Sequence, residues 1–147
     1  MTDDAVRVAF VCVQNAGRSQ MATAFAERER AARNLEDRVE VLTGGTDPAD
    51  SVHDVVVEAM AEAGVDITDR VPRSISTTDL EACDIVATMG CSTLELGVDG
   101  TTVDVRDWAL DDPHGQAIET VRAIRAEVRE RVADVFDDIE EEVSADV

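Results

Sequence analysis

The segment "CVQNAGRS", Cys12 to Ser19, sits between the β-branched run "VRVAFV" and the Ala-rich run "QMATAFAERERAA". A loop that opens onto a helix N-terminus with its backbone N–H groups turned inward binds anions. Gly17 relaxes the backbone where such a loop must curl. Arg18 offers a planar fork that matches two oxygens of a tetrahedral oxyanion. The same positive surroundings stabilise the thiolate of Cys12 and make it a nucleophile. Ser19 can donate a hydrogen bond to that thiolate, and Asn15 can tie the loop to neighbouring backbone. Val13, Gln14, Asn15, Ala16, Gly17 and Arg18 would then form the oxyanion cradle, with Cys12 as nucleophile. The plainer reading of the same letters is a core cysteine beside a turn, with a surface arginine. A nucleotide P-loop is not a reading of them, because the chain has no Lys and the loop lacks that motif's glycines.

The flanking elements must place this loop. "RVAFVCV" has the unbroken apolar character of a strand buried on both faces. "SQMATAFAERERAAR" reads as a helix with Met21, Ala24 and Phe25 on one face. "RVEVLTGG" reads as a second strand. "SVHDVVVEAMAEAG" reads as a second helix closed by Gly64. "STTDLEA" reads as a short helical turn, "CDIVATMG" as a third strand and "TTVDVRDW" as a fourth. "GQAIETVRAIRAEVRERVADVFDDIEEEV" reads as a long last helix with its stripe on Ile118, Val121, Val128, Val132, Val135 and Ile139. Strands alternating with helices predict an α/β fold: one three-layer domain over residues 1–147, with a four-stranded parallel sheet and helices on both faces. The last few residues are expected to be disordered. Ligands bind beyond the carboxyl ends of such strands. Cys12, Cys91 and "WALDDP" all fall at strand ends of that kind.

Composition narrows the function classes. The chain has 147 residues with 33 acidic against 13 basic side chains, a net charge of −20, and every basic residue is Arg. A surface this negative repels nucleic acid and anionic lipid, so neither is an expected partner. Acidic residues spread over a normally hydrophobic chain read as a salt-adapted surface. An anionic substrate therefore needs a local positive pocket. The longest apolar run is far short of a membrane span. The acidic opening "MTDDAVR" is no signal peptide, and a cytoplasmic location is expected. Three Cys and two His, with no CxxC, make a disulfide framework or a zinc site improbable, and no cofactor is expected.

"VAFVCVQNAGRSQMATAF" resembles the N-terminal signature of the low-molecular-weight protein tyrosine phosphatase superfamily, which includes thioredoxin-coupled arsenate reductases. "RSQMA" is closer to the reductase wording; the phosphatase branch usually reads Arg-Ser-Pro. The resemblance runs over nearly the whole chain, through "TGGTDPAD", "AGVDITDRVPRSI", "CDIVATMGC" and "WALDDPHGQ". It implies that Asp112, stiffened by Pro113, is the general acid on a loop over the anion, with Asp111 the second choice. The same Asp-Pro is also a common helix start. The resemblance further implies that Cys91 resolves the arsenic-bearing sulfur of Cys12 as a disulfide. The plainer reading of Cys91 is a small residue at a strand end. Cys83, at the amino end of strand three, reads as core.

The chain also departs from the family pattern. "STLELGVDG" lacks the further cysteine of the thioredoxin-relayed reductases, and Ala16 and Gly17 stand where a second loop cysteine is common. His114 follows the Asp-Pro where phosphatases carry an aromatic residue. Arsenate reduction, with thioredoxin or a low-molecular-weight thiol as reductant, is the first expectation. Phosphomonoester hydrolysis through a phosphocysteine is the alternative, and a non-catalytic oxyanion-binding module is the third.

Overall fold

The computed structural model describes residues 5–89, 103–111, 113 and 115–145. Its elements in chain order are β1 (Val6–Cys12), α1 (Arg18–Ala32), β2 (Val39–Gly45), α2 (Asp54–Glu62), α3 (Thr77–Glu81), β3 (Ile85–Met89), β4 (Asp104–Asp107) and α4 (Ile118–Ala145). The four strands form one sheet in the order β2-β1-β3-β4, and every pairing is parallel. This is the expected α/β architecture.

The sheet is covered on both faces, which explains the unbroken apolar run of β1. Successive side chains alternate between faces. Val6, Val8, Phe10 and Cys12 point to one side, where they join Met21 and Phe25 of α1, Val56 and Met60 of α2, and Val128, Val132 and Phe136 of α4. Ala9 and Val11 point to the other, with Leu80 of α3, Cys83, Val86 and Val103. Each fully buried side chain of this size contributes about 1.5–3 kcal/mol.

Helix ends follow local chemistry. Ser76 caps α3 by accepting from Asp79 N, and the Asp79 carboxylate accepts from Ser76 N in return, a complete capping box. The long α4 is tied to the rest by arginines. Arg33 pairs with Glu29, Asp137 and Glu140, Arg106 with Asp104 and Asp138, and Arg122 and Arg125 with Glu62. The Arg122 hydrogen bond, with Arg125 beside it, lowers the Glu62 carboxyl to about 2.

Two strand registers decide where chemistry can occur. Cys12 is the last residue of β1, paired with Gly45 of β2 on one side and Met89 of β3 on the other. It therefore lies at the carboxyl edge of an inner strand, where the order reverses and crevices form. Among the described residues, no helix is long and apolar enough to cross a membrane.

Candidate active site

The loop after β1 is stitched to the segment after β2. Thr46 N donates to Cys12 O (3.2 Å), Asp47 N to Val13 O (2.8 Å), Ala49 N to Gln14 O (2.9 Å) and His53 N to Ala16 O (3.0 Å). In a trans peptide the C=O and the following N–H point in opposite directions. With those four carbonyls turned outward, the N–H groups of Val13, Gln14, Asn15 and Gly17 turn inward. One of them shows this directly: Asn15 N donates to Cys12 Sγ at 3.1 Å. Gly45 permits the close approach, since a Cβ there would lie 2.5 Å from Val13 O.

Asn15 is the pin of the loop. It is fully buried and left-handed at φ 52°, a conformation Asn tolerates better than other side-chain-bearing residues. Its Nδ2 donates to Ser19 Oγ (2.7 Å) and to Thr43 Oγ1 (2.9 Å). Its Oδ1 accepts from Gln20 Nε2 and from Arg73 N, both at 3.0 Å. Thr43 Oγ1 in turn donates to Phe10 O (3.1 Å). The donor inventory then sets the direction of the contact between Ser19 Oγ and Cys12 Sγ, 2.8 Å apart. Ser19 Oγ already accepts from Asn15, so its single proton is available for the sulfur. Cys12 thus has two donors aimed at it, the Ser19 hydroxyl and the Asn15 amide.

Cys12, 3% exposed, lies in a cavity of about 240 Å³ with Val13, Gln14, Ala16, Gly17, Arg18 and His53. Helix α1 starts at Arg18 with no acidic residue in its first turn, so its positive end faces the cavity without a competing carboxylate. Arg18 Nη1 donates to Leu110 O at 3.1 Å, which draws the segment after β4 over the site. Pro113 rests against Gly17: a Cβ on Gly17 would come 2.9 Å from Pro113 Cγ. Trp108, buried and 5.9 Å centroid to centroid from Phe10, anchors the start of that segment.

All the expected cradle residues, Val13 to Arg18, therefore gather with Cys12 and Ser19. Asp112 and His114 lie outside the described residues, as does Cys91; Asp111 is exposed. Cys83 is core, as expected: it is buried among Ala9, Val11, Leu80 and Val86, its Sγ donates to Asp79 O, and burial pushes its thiol up to about 11. Among the described residues no cluster of His, Cys, Asp and Glu could hold a metal ion.

Sequence reasoning missed three contributors. Thr43 and Gln20 hold Asn15, and His53 lines the cavity. A polar Thr at the end of an apolar strand was a signal for the first. A Gln on the buried face of α1 was one for the second. His53 falls inside the expected second helix but precedes α2 in extended backbone, φ −62° and ψ 135°, because its N–H is drawn to Ala16 O. Nothing local could show that.

Comparison with known proteins agrees with this architecture. A putative arsenate reductase of Halobacterium salinarum is 66% identical over 92% of this chain and 94% of its own length. A solved arsenate reductase in the phosphate-binding state is 31% identical, with a TM-score of 0.78, covering 91% of this chain and 98% of its own. The thioredoxin-dependent arsenate reductase of Corynebacterium glutamicum is 30% identical, with a TM-score of 0.77, over 97% of this chain and 65% of its own. Residues 7–145 match the model of the low molecular weight phosphotyrosine protein phosphatases, and the chain belongs to that family.

Proposed function

We propose that this chain is an arsenate reductase. The observation that carries the reading is the pair of donors on Cys12, Ser19 Oγ at 2.8 Å and Asn15 N at 3.1 Å, inside a cavity that Arg18 also lines. Such a thiolate is held ready to attack an oxyanion whose oxygens take the loop amides and the guanidinium fork. The Halobacterium relative, at 66% identity, points to arsenate as that oxyanion.

Cys12 attacks arsenic(V) and a hydroxide leaves, protonated by Asp112 to water. Support for Asp112 is its place in the chain between Leu110, whose carbonyl accepts from Arg18, and Pro113, which packs on Gly17. The thiolate of Cys91 then attacks the Cys12 sulfur. The S–As bond breaks with its electron pair going to arsenic, so arsenic(V) becomes arsenic(III) and the two sulfurs become a disulfide. Cys91 is two residues beyond Met89, the partner of Cys12 across the sheet, and two residues of chain span at most about 7 Å. Thioredoxin or a low-molecular-weight thiol returns the disulfide to two thiols.

The family match favours one second reading, phosphomonoester hydrolysis through a phosphocysteine at Cys12, with water completing turnover. A side-by-side assay decides between them. Arsenate with thioredoxin and with small thiols is compared with p-nitrophenyl phosphate, at high salt, for the parent and for Cys12→Ser. Arsenate turnover lost in Cys12→Ser is the expected result. Ester hydrolysis without arsenate turnover would replace the first reading by the second.

A further inference from the structure

His53 has no part in the chemistry described so far, yet its side chain lines the cavity that holds Cys12. It comes from a different part of the chain, just ahead of α2, and its backbone is fixed on both sides. Its N–H donates to Ala16 O at 3.0 Å, and its carbonyl accepts from Val56 N (3.0 Å) and Val57 N (3.1 Å) in the first turn of α2. The ring lies against the loop: a Cβ on Gly17 would sit 3.6 Å from His53 Cδ2 and 2.9 Å from Pro113 Cγ. The imidazole and the Pro113 ring therefore both lie close to Gly17, which lines the cavity. Cys12 is the nearly inaccessible floor, whereas His53 is half-buried at the rim.

That geometry gives the ring a chemical task. On the proposed reading the inward amides of Val13, Gln14 and Gly17 and the Arg18 fork serve the oxygens nearest the sulfur. An inorganic oxyanion differs from a phosphate ester at its outer oxygen, which is ionisable in the one and carries an organic group in the other. We propose that His53 is a specificity residue whose imidazole N–H donates to this outer oxygen, selecting small inorganic oxyanions over aryl phosphate esters. Imidazole carries two nitrogens, and an N–H on either can donate to an anion. A fixed donor favours the inorganic ion, and the same ring obstructs a bulky substituent. The inference rests on the reading of the Cys12 cavity as an arsenate site.

The test uses the full chain at high salt. Inorganic phosphate is titrated calorimetrically into Cys12→Ser, with and without His53→Ala and His53→Asn. Steady-state arsenate and p-nitrophenyl phosphate kinetics are measured in the Cys12 background. His53→Ala should weaken phosphate binding and raise the arsenate KM about tenfold, with kcat within about threefold, the scale of one charge-assisted hydrogen bond. The KM for the aryl ester should stay level or fall. His53→Asn, which restores a donor, should recover part of the affinity and guards against a folding defect in the Ala variant. Unchanged phosphate affinity in His53→Ala, or equal losses for both substrates, would overturn the assignment. If the Cys12→Ser parent binds neither phosphate nor arsenate, the oxyanion-site reading itself fails and His53 falls with it.

Discussion

Replacing Asn15 separates two things this residue does, holding a backbone shape and supplying hydrogen bonds. The side chain makes bonds to Ser19, Thr43, Gln20 and Arg73 N. Truncation does not orphan all of them. Gln20 Nε2 keeps Asn15 O at 3.0 Å. The buried oxygen of Ser19 and the half-buried oxygen of Thr43 lose a donor, so the net cost is about 2–4 kcal/mol. The backbone at φ 52° adds about 1 kcal/mol more for Ala, which disfavours the left-handed region, and nothing for Gly. Asn15→Ala should therefore be less stable than Asn15→Gly by about 1 kcal/mol, the reverse of the usual order of Ala and Gly. Both should lose most arsenate turnover, because the Ser19 hydroxyl is no longer directed at Cys12. Urea unfolding at molar salt reads the first quantity, and initial rates read the second. An Asn15→Ala variant as stable as Asn15→Gly would refute the strain argument. Full turnover in either would refute the role of the network.

Arg18→Lys should lower kcat/KM for arsenate at least about a hundredfold, since an ammonium cannot reproduce the planar fork; initial rates check this. Cys91→Ser should leave the first attack intact and block release through a disulfide, so mass spectrometry after one arsenate turnover without reductant should show a Cys12–Cys91 bridge in the parent alone. A Cys12–Cys83 bridge is not expected: Ile85 pairs with Val8, four residues or about 13 Å along the strand from Cys12, beyond the reach of about 7 Å that a disulfide allows. The Arg122 bond lowers Glu62 from 4.5 to about 2, so its stabilisation is present above pH 4.5 and lost as pH falls toward 2. The stability difference between the parent and Glu62→Gln should shrink across that window in acid-unfolding curves. Melting temperature should fall as salt is removed, because 33 acidic groups against 13 basic ones leave a net repulsion that salt screens; a constant Tm between low and molar salt would contradict this.

What could be read from the residues was whatever depends on near neighbours. The β1 run is buried on both faces, and that burial is written in its composition. The C-x5-R-S spacing spans one loop and one helix start, so its chemistry was visible without a fold. "STTDLEA" read as a short helical turn, and the capping box that starts α3, Ser76 to Asp79, is local in the same way. The largest miss is long-range. The second helix reads from residue 51, but α2 begins at Asp54, because His53, like Thr46, Asp47 and Ala49 before it, gives its amide to a carbonyl of the Cys12 loop instead of to a helix. That exchange turns the cradle amides inward and brings His53 to the cavity. It joins positions more than 30 residues apart, and no periodicity records it. Thr43 and Gln20 differ from this: each carried a local signal, a polar residue in an apolar setting, but its purpose shows only once Asn15 is placed against both.

The net charge raises a problem that the site geometry answers. A chain carrying −20 repels a multiply charged oxyanion at long range, yet on the proposed reading the cavity binds one. Arg18 is the sole Lys or Arg side chain among the residues described as lining that cavity, too little to reverse the whole field. Most of the attraction has to come from groups that carry no net charge: the inward amides and the first turn of α1, which holds no acidic residue. These dipoles act over a few ångströms inside a pocket whose floor is nearly inaccessible to solvent. The surface charges act through water, where the screening length is about 8 Å at physiological ionic strength and about 3 Å at 1 M. Rising salt therefore removes the repulsion that opposes the substrate and barely touches the cradle that holds it. Surface acidity and oxyanion capture are compatible in this fold because they operate at different distances, and salt separates the two.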